Sequence, residues 1–320
     1  MKEIKLSIII PVYNEEDNIP TLYKKLSIEC REINKNYEII FVDDGSTDKT
    51  LSLLIELQSK NPTLKIIKLS RNHGHQLALS AGIDYSSGEF TLTMDADLQH
   101  PPELISKFLK EAEAGYDIVT GVKMYTEKRG FIKILLAKTY YWIFNKITRI
   151  NVEPNASDFR LYSKKAIEVI KGMRERERYL RGISEWIGFR QKKINYICPP
   201  RYAGKPKYTI MKLGKLASYG LFSFSAFPLR VSTYIGIIIV VINIIYMIYS
   251  FLTWIKSPES VPGYTSIIIF ILFLFSFLFV SLGILGEYIL RIYEEVKGRP
   301  LYIMDWKTGF GDDNQAEKEG

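Results

Sequence analysis

Two stretches without a charged residue constrain this chain more than any other feature in it. They run Val231–Trp254 (VSTYIGIIIVVINIIYMIYSFLTW) and Pro262–Gly286 (PGYTSIIIFILFLFSFLFVSLGILG). Each exceeds the roughly 20 apolar residues that a helix needs to cross the roughly 30 Å hydrocarbon core of a bilayer. Buried core helices would show the same apolar character, but the short connector IKSPESV favours a membrane hairpin with spans at about 231–254 and 262–288. Basic residues orient it. The connector holds Lys256 alone, whereas Lys205, Lys207, Lys212, Lys215 and Arg230 precede the first span and Arg291, Lys297 and Arg299 follow the second. The positive-inside rule then places both termini on the cytoplasmic side of a plasma (inner) membrane, as a multi-pass protein.

The rest of the 320 residues mix charge with short apolar runs. The net charge of +8, from 43 Lys and Arg against 35 Asp and Glu, suits an anionic leaflet or a phosphorylated substrate. A nucleic-acid partner is not expected, because no helix-turn-helix or RNA-binding signature occurs. Cys30 and Cys198 lack metal-ligand spacing and read as reduced cytosolic thiols. The N-terminus MKEIKLSIIIPVYNEE has an apolar run too short for a signal peptide.

Before the spans, strand-like runs alternate with helical spacing. IKLSIII (Ile4–Ile10), YEIIFV (Tyr37–Val42), LKIIKL (Leu64–Leu69), EFTLTM (Glu89–Met94) and YDIVTG (Tyr116–Gly121) are the strands, and Ile19, Leu22, Tyr23, Leu26 and Ile33 form one stripe of the first helix. Near-continuous apolar strands alternating with helices predict an α/β fold: a mostly parallel sheet with helices on both faces. Ligands of such sheets sit beyond the carboxyl ends of the strands. That is where the acids fall: Asn14 and Glu15 after the first strand, Asp43 and Asp44 after the second, Asp95 and Asp97 after the fourth.

Asp95 and Asp97 stand one residue apart in FTLTMDADLQHPPE. Side chains at i and i+2 of a strand share a face, and two close carboxylates repel unless a divalent cation lies between them. A polar loop whose first aspartate caps a turn fits the same spacing. Tyr13 can wall a base pocket and Glu15 can accept from a base or ribose, while Asn14 can cap the next helix. Asp43 and Asp44 meet a glycine turn, and with no G-x-G-x-x-G after the first strand these acids suit a nucleoside better than a dinucleotide.

PVYNEEDNI, VDDGSTD, RNHGHQLALSAG, DADLQHPPE, SDFRLYSKKA and GEYILRIYEEVKGRPLYI, in that order, resemble family 2 glycosyltransferases of the polyprenyl-phosphate hexose synthase type, which include the bactoprenol glucosyltransferases and dolichyl-phosphate mannose synthase. The resemblance runs to about Phe310. It implies a GT-A type nucleotide-sugar fold in which Asp95, Asp97 and Gln99 hold Mg2+ or Mn2+ against the donor diphosphate. Pro11, Tyr13, Glu15, Asp43, Asp44 and Asp95 would then line the nucleotide pocket. It makes Asp158 the candidate catalytic carboxylate, as base or positioning group, with a buried salt bridge as the competing role. Arg160 becomes the candidate clamp on the acceptor phosphate, since a planar guanidinium binds phosphate at two points. Arg201, Lys205 and Lys207, in PPRYAGKPKYTIMKL, match a lid over the phosphates, although Pro206 stands where many relatives carry serine. His73 and His75 read as polar groups of a loop or donor site, and the arginines of RERERYLRGISEWIGF as the flank of a solvated helix.

The implied organisation is a cytoplasmic catalytic domain at 1–207 with an amphipathic interface helix at about 131–149. A juxtamembrane interface helix at 208–228, the two spans within 229–291 and a cytoplasmic tail at 292–320 complete it. The implied activity is inverting transfer of a hexosyl group from a nucleotide sugar, UDP-glucose favoured, to a polyprenyl phosphate such as undecaprenyl phosphate. Alternatives are mannose from GDP-mannose, an amino-arabinose derivative from a uridine donor, and a non-catalytic membrane scaffold. A two-helix anchor can also pair with copies of itself as a homo-oligomer.

Overall fold

The structure, a computed structural model, describes residues 4–33, 35–124, 144–148, 153, 155–176, 178–199, 225, 227–256 and 263–310. It divides into two compact units, Met1–Lys215 with Arg299–Gly320, and Leu216–Gly298.

The first unit is built on one eight-stranded sheet. Its strands are β1 (Leu6–Val12), β2 (Tyr37–Asp43), β3 (Leu64–Leu69), β4 (Phe90–Thr93), β5 (Ile118–Met124), β6 (Ala156–Ser163), β7 (Gln191–Ile197) and β8 (Met304–Thr308). They lie in the order β7-β5-β6-β4-β1-β2-β3-β8. β6 and β8 run against the other six, so the sheet is mostly parallel, as the alternation of the sequence predicts. The helices are α1 (Ile19–Ile33), α2 (Thr50–Lys60), α3 (His75–Tyr85), α4 (Ile105–Glu113), α5 (Lys164–Gly172) and α6 (Leu180–Trp186).

Every residue of β1 is buried, which requires cover on both faces. Leu6, Ile8, Ile10 and Val12 share a cluster with Ile19, Leu22 and Leu26 of α1 and Phe108 of α4. Ile9 faces the other way, onto α3. A Cβ on Gly82 of α3 would stand 2.2 Å from Ile9 Cγ2, so only glycine lets the helix lie this close. Pro11 is tolerated in a central strand because the β1–β4 pairing ends at Ile9 and Thr93, before the proline removes a donor. Beyond that rung β1 and β4 are no longer paired. The chain builds outward from β1 to β2 and β3, then crosses back to β4 on the other side, so β1 and β4 flank the switch point of the sheet.

Three strands were not expected: β6, β7 and β8. The segment assigned to a cytoplasmic tail at 292–320 instead returns to the sheet, where β8 pairs antiparallel with β3. Around it, Ser70 N–H donates to Ile303 O at 2.9 Å, Tyr302 Oη to Asp84 Oδ2 at 2.9 Å, and Lys68 pairs with Asp305 at 2.7 Å. Of the helix expected at 131–149, residues 144–148 are described and helical, with Phe144 buried and its ring 6.4 Å from that of Tyr179. Most of the helix expected at 208–228 lies outside the described residues.

The second unit holds two long helices, α7 (Phe227–Lys256) and α8 (Tyr264–Val296). Ser232 Oγ donates to Ser281 Oγ at 2.7 Å, Gly236 lies against the Phe277 ring, and Tyr246 and Phe270 rings are 6.1 Å apart. Residue numbers that fall on one helix as they rise on the other make the pair antiparallel. Leu229–Tyr249 and Phe270–Val296 are long and apolar enough to cross a membrane, with mean hydropathies of 2.4 and 2.2. α8 continues past the apolar run, where Glu287 and Arg291 pair one turn apart at 2.9 Å.

At the amino ends of the strands lies a buried polar knot. Glu38 takes Ser7 Oγ, the N–H and Oγ of Ser87 at 2.9 Å each, and Lys65 Nζ at 2.6 Å. Burial pushes its pKa up, and the bonds from Lys65, Ser7 and Ser87 bring it below the ordinary value. Removing one partner of a buried pair strands the other charge, so Glu38→Gln is expected to cost about 3 kcal/mol. The midpoint of thermal unfolding should fall by roughly 5 to 10 °C, and adding Lys65→Met should recover most of it; a Glu38→Gln protein that melts like the wild type would show that the knot does not hold the sheet.

Candidate active site

The site forms where the end of β4 lies beside the start of β6. Thr93 lies opposite Arg160 in their antiparallel ladder, so the register carried two residues further sets Asp95 across from Asp158. Thr93 Oγ1 fixes the exit by donating to Asp158 O at 2.6 Å. α3 follows a parallel strand, which puts its first turn at the same edge, and that turn carries His75 and Gln76.

These elements converge on three side chains. His75 Nε2 is 3.3 Å from Asp95 Oδ1 and 3.4 Å from Asp158 Oδ2, and one ligand atom from each residue falls within 4.8 Å of the others. This is the one such group of histidine and acids among the described residues. Burial opposes a charge on His75, and the carboxylates of Asp95 and Asp158 overcome it, leaving its pKa above the ordinary value. Asp158 is gripped by a guanidinium fork: Arg181 Nε donates to Oδ1 and Nη2 to Oδ2, both at 2.8 Å. Gln76 Nε2 adds a bond to Oδ2 at 3.4 Å. Burial would raise the pKa of Asp158, but Arg181 and His75 hold it well below the usual carboxylate range.

Asp95 is set by His100. The Asp95 N–H donates to His100 Nδ1 at 2.9 Å, and Nε2 of the same ring lies 3.5 Å from Asp95 Oδ2. A ring nitrogen that accepts a hydrogen bond carries no proton, so the neutral tautomer with its proton on Nε2 fits. The ring is fully buried and stacked on Phe159 at 5.1 Å, and burial drops its pKa to about 4.

The predicted site residues divide. Asp95 and Asp158 meet, but Asp97 is not in their group. The alternation that would place Asp95 and Asp97 on one face fails because β4 ends at Thr93 and the chain bends, with Leu98 at φ +62°. Asp97 Oδ1 accepts from Gln99 N–H at 3.1 Å within that turn, and Gln99 Oε1 accepts from Lys123 Nζ at 3.4 Å. Asp44 binds the backbone: its two oxygens take the N–H groups of His73 at 2.7 Å and Gly74 at 2.9 Å, which fixes the turn that launches His75. The adjoining Gly45, at φ +75°, packs so close to Arg71 that a Cβ would lie 2.8 Å from its carbonyl carbon. Asp43 accepts from Ser46 N–H at 3.2 Å, and its Oδ2 is buried without a partner. Pro11 is buried at the end of β1; Tyr13 is half-buried, and Glu15 takes Asn18 Nδ2 at 2.6 Å at the start of α1. Arg160 is 1% exposed; its Nε donates to Ser157 O at 3.1 Å, and its Nη1 and Nη2 are buried without a hydrogen-bond partner. Arg201, Lys205 and Lys207 lie outside the described residues.

Gln76, His100, Lys123 and Arg181 were not expected as site residues, and His75, expected as a polar group of a loop or donor site, stands within the cluster itself. The available signal was position: GHQ opens the helix after the third strand, at the edge where the acids collect. His100 gives the site an acid limit. From pH 6.5 down to about 4 the unfolded chain takes up a proton that the folded ring refuses, so stability falls as pH falls, by roughly 3 kcal/mol in all. His75, with its raised pKa, contributes a constant amount below 6.5 and loses it only as pH rises. His100→Asn retains an acceptor for Asp95 N–H, so its unfolding midpoint is expected to fall less than that of the wild type between pH 6.5 and 4.5. Parallel curves for the two proteins would contradict the neutral buried imidazole.

Comparison with known proteins agrees with this architecture. The family described as Glycosyl transferase family 2 matches residues 7–171, which span β1 to α5. A Synechocystis sp. protein named as an uncharacterized glycosyltransferase is 44% identical over 301 residues, covering 94% of this chain and 95% of that protein. The SfII prophage-derived bactoprenol glucosyl transferase of Shigella flexneri is 38% identical over 302 residues, covering 94% and 97%. A solved structure of glucosyl-3-phosphoglycerate synthase from Mycobacterium tuberculosis, in complex with Mn2+, uridine-diphosphate-glucose and phosphoglyceric acid, is similar at a TM-score of 0.45 and 16% identity, over 68% of this chain and 78% of that one. With the family match spanning both Asp95 and Asp158, and relatives aligned almost end to end, the chain belongs to glycosyl transferase family 2.

Proposed function

We propose that the protein moves a hexosyl group from a nucleotide sugar to the phosphate of a polyprenyl lipid, with UDP-glucose and undecaprenyl phosphate as the favoured pair. Transfer occurs with inversion at the cytoplasmic face of the plasma membrane. The observation that carries this reading is the His75–Asp95–Asp158 cluster, at the carboxyl edge of a nucleotide-sugar type sheet, in a chain with two helices of membrane length. Similarity to a protein named bactoprenol glucosyl transferase supports the lipid acceptor and the sugar.

A divalent cation fits the cluster. Asp95 Oδ1 is buried without a hydrogen-bond partner, and Asp158 and His75 add an oxygen and a nitrogen to it. Carboxylate oxygens suit Mg2+ and Mn2+ alike, and the imidazole favours Mn2+. When bound, such an ion stabilises the charge that develops on a departing diphosphate. We assign Asp43 and Glu15, with Tyr13 and Pro11, to the nucleoside; the unpartnered Asp43 Oδ2 is an acceptor suited to a base N–H. Asp158 orients rather than abstracts, because a carboxylate held ionised by Arg181 is a weak proton acceptor. A strong base is unnecessary: a phosphate monoester loses its second proton near pH 6, at about that value in water. Its oxygen attacks the anomeric carbon as the diphosphate leaves, and an α-linked donor gives a β-linked product.

Helix packing supports the membrane assignment. α7 and α8 pack antiparallel, so the start of α7 and the end of α8 lie at the same end of the pair. Those flanks carry the basic residues that mark the cytoplasmic side.

Purified protein given labelled UDP-glucose, undecaprenyl phosphate and Mn2+ is expected to yield mild-acid-labile label in the lipid phase. Label only from GDP-mannose would replace the donor, and label from no nucleotide sugar would leave the scaffold role. Asp95→Asn should lower turnover roughly 10²- to 10³-fold without loss from the membrane; full activity of that variant under chelator would remove the cation from the mechanism. His75→Ala should weaken Mn2+ binding more than Asp97→Asn does. The reverse order would move the cation to the turn between Asp95 and Gln99.

A further inference from the structure

Two guanidinium groups near Asp158 differ in what can reach them. Arg160 is 1% exposed, with Nε on Ser157 O and both Nη atoms buried, whereas the Arg181 side chain is 29% exposed at the start of α6. The fork that Arg181 places on Asp158 is the same two-point contact a guanidinium makes with a phosphate. Its backbone does not depend on that ion pair, because Leu180 N–H donates to Gln76 Oε1 at 3.1 Å and ties the helix to α3. Asp158 has another donor at hand: Gln76 Nε2 stands 3.4 Å from its Oδ2. The side chain of Arg181 can therefore leave Asp158 while the helix and the carboxylate stay in place.

We infer that Arg181 is an exchangeable clamp, which holds Asp158 in the unliganded protein and passes its paired N–H donors to the phosphate monoester of the acceptor once a divalent cation takes over Asp158. The inference rests on the lipid-phosphate reading above and assigns its anion site to Arg181 in place of Arg160. Cation and phosphate then favour one another, because each draws one partner away from the same ion pair. Like charge sharpens the effect: a phosphate dianion arriving beside Asp95 and Asp158 meets repulsion until their charge is balanced. Lys123, which lies near enough to lower the pKa values of Asp95 and His100, adds positive charge at the same edge.

The test is calorimetric titration of the purified full-length protein with farnesyl phosphate as the monoester probe and UDP as the diphosphate probe, with and without Mn2+. Wild-type protein is expected to bind farnesyl phosphate about fivefold tighter or more with Mn2+ present. Arg181→Gln should lose about tenfold or more of that affinity while UDP binding stays within about twofold. Asp158→Asn removes the rival carboxylate, so it should bind farnesyl phosphate tighter than the wild type without Mn2+ and gain little when Mn2+ is added. A misfolded variant cannot produce that gain. The inference is overturned if Arg181→Gln keeps its farnesyl phosphate affinity, if it loses UDP instead, or if Asp158→Asn binds no tighter without the cation. Binding as expected in a protein that transfers no sugar would support the clamp and overturn the proposed reaction, so the two readings fail separately.

Discussion

The active edge depends on a single antiparallel insertion. If the sheet continued in parallel beyond β4, the carboxyl end of the next strand would come from a different crossover, with its own loop. β6 instead enters from the opposite direction, and its first residues, rather than its last, lie beside the end of β4. Two acids that are far apart in the chain thereby come to face one another, and every other group at the site answers that juxtaposition. Arg181 neutralises one, the imidazoles of His75 and His100 surround the other, and Gln76 ties the helices that carry the first two of these groups.

The carboxylates of this edge are compensated unequally, and the inequality assigns their work. Asp44 has both oxygens on backbone N–H groups and acts as a brace. Asp158 has a full ion pair. Asp95 is held less firmly: its N–H is fixed by a neutral histidine, and its buried Oδ1 has His75 Nε2 at 3.3 Å but no hydrogen bond. A desolvated carboxylate oxygen beside a second acid is costly unless a proton or a cation joins them. That cost sets Asp95 apart from Asp97, whose Oδ1 accepts from Gln99 N–H; adjacency in a sequence motif alone would not distinguish the two.

Much of this organisation could be read from the chain. The buried parallel strands, the acids at their ends and the apolar pair of helices are local patterns, and local patterns survive folding. The shared face of Asp95 and Asp97 was inferred by extending strand periodicity past Thr93, where the backbone already bends toward the positive φ of Leu98. The partners of His75 and Arg181 were illegible for a different reason: they are distant in sequence, and nothing local marks a histidine or an arginine that will meet an aspartate across a sheet. β8 is illegible in the same way, because a five-residue edge strand draws its stability from the ladder it joins.

That late strand also sets an order of events during synthesis. β3 is complete once Leu69 has left the ribosome, yet its neighbour begins at Met304, after both long helices. At roughly 5 to 20 residues per second the edge of β3 waits on the order of ten seconds or more for its cover. An uncovered edge is a template for pairing with other chains. The sheet is finished only when the apolar helices have been made, so a chain that stalls between β7 and β8 keeps an open edge that exposes it to aggregation and disposal.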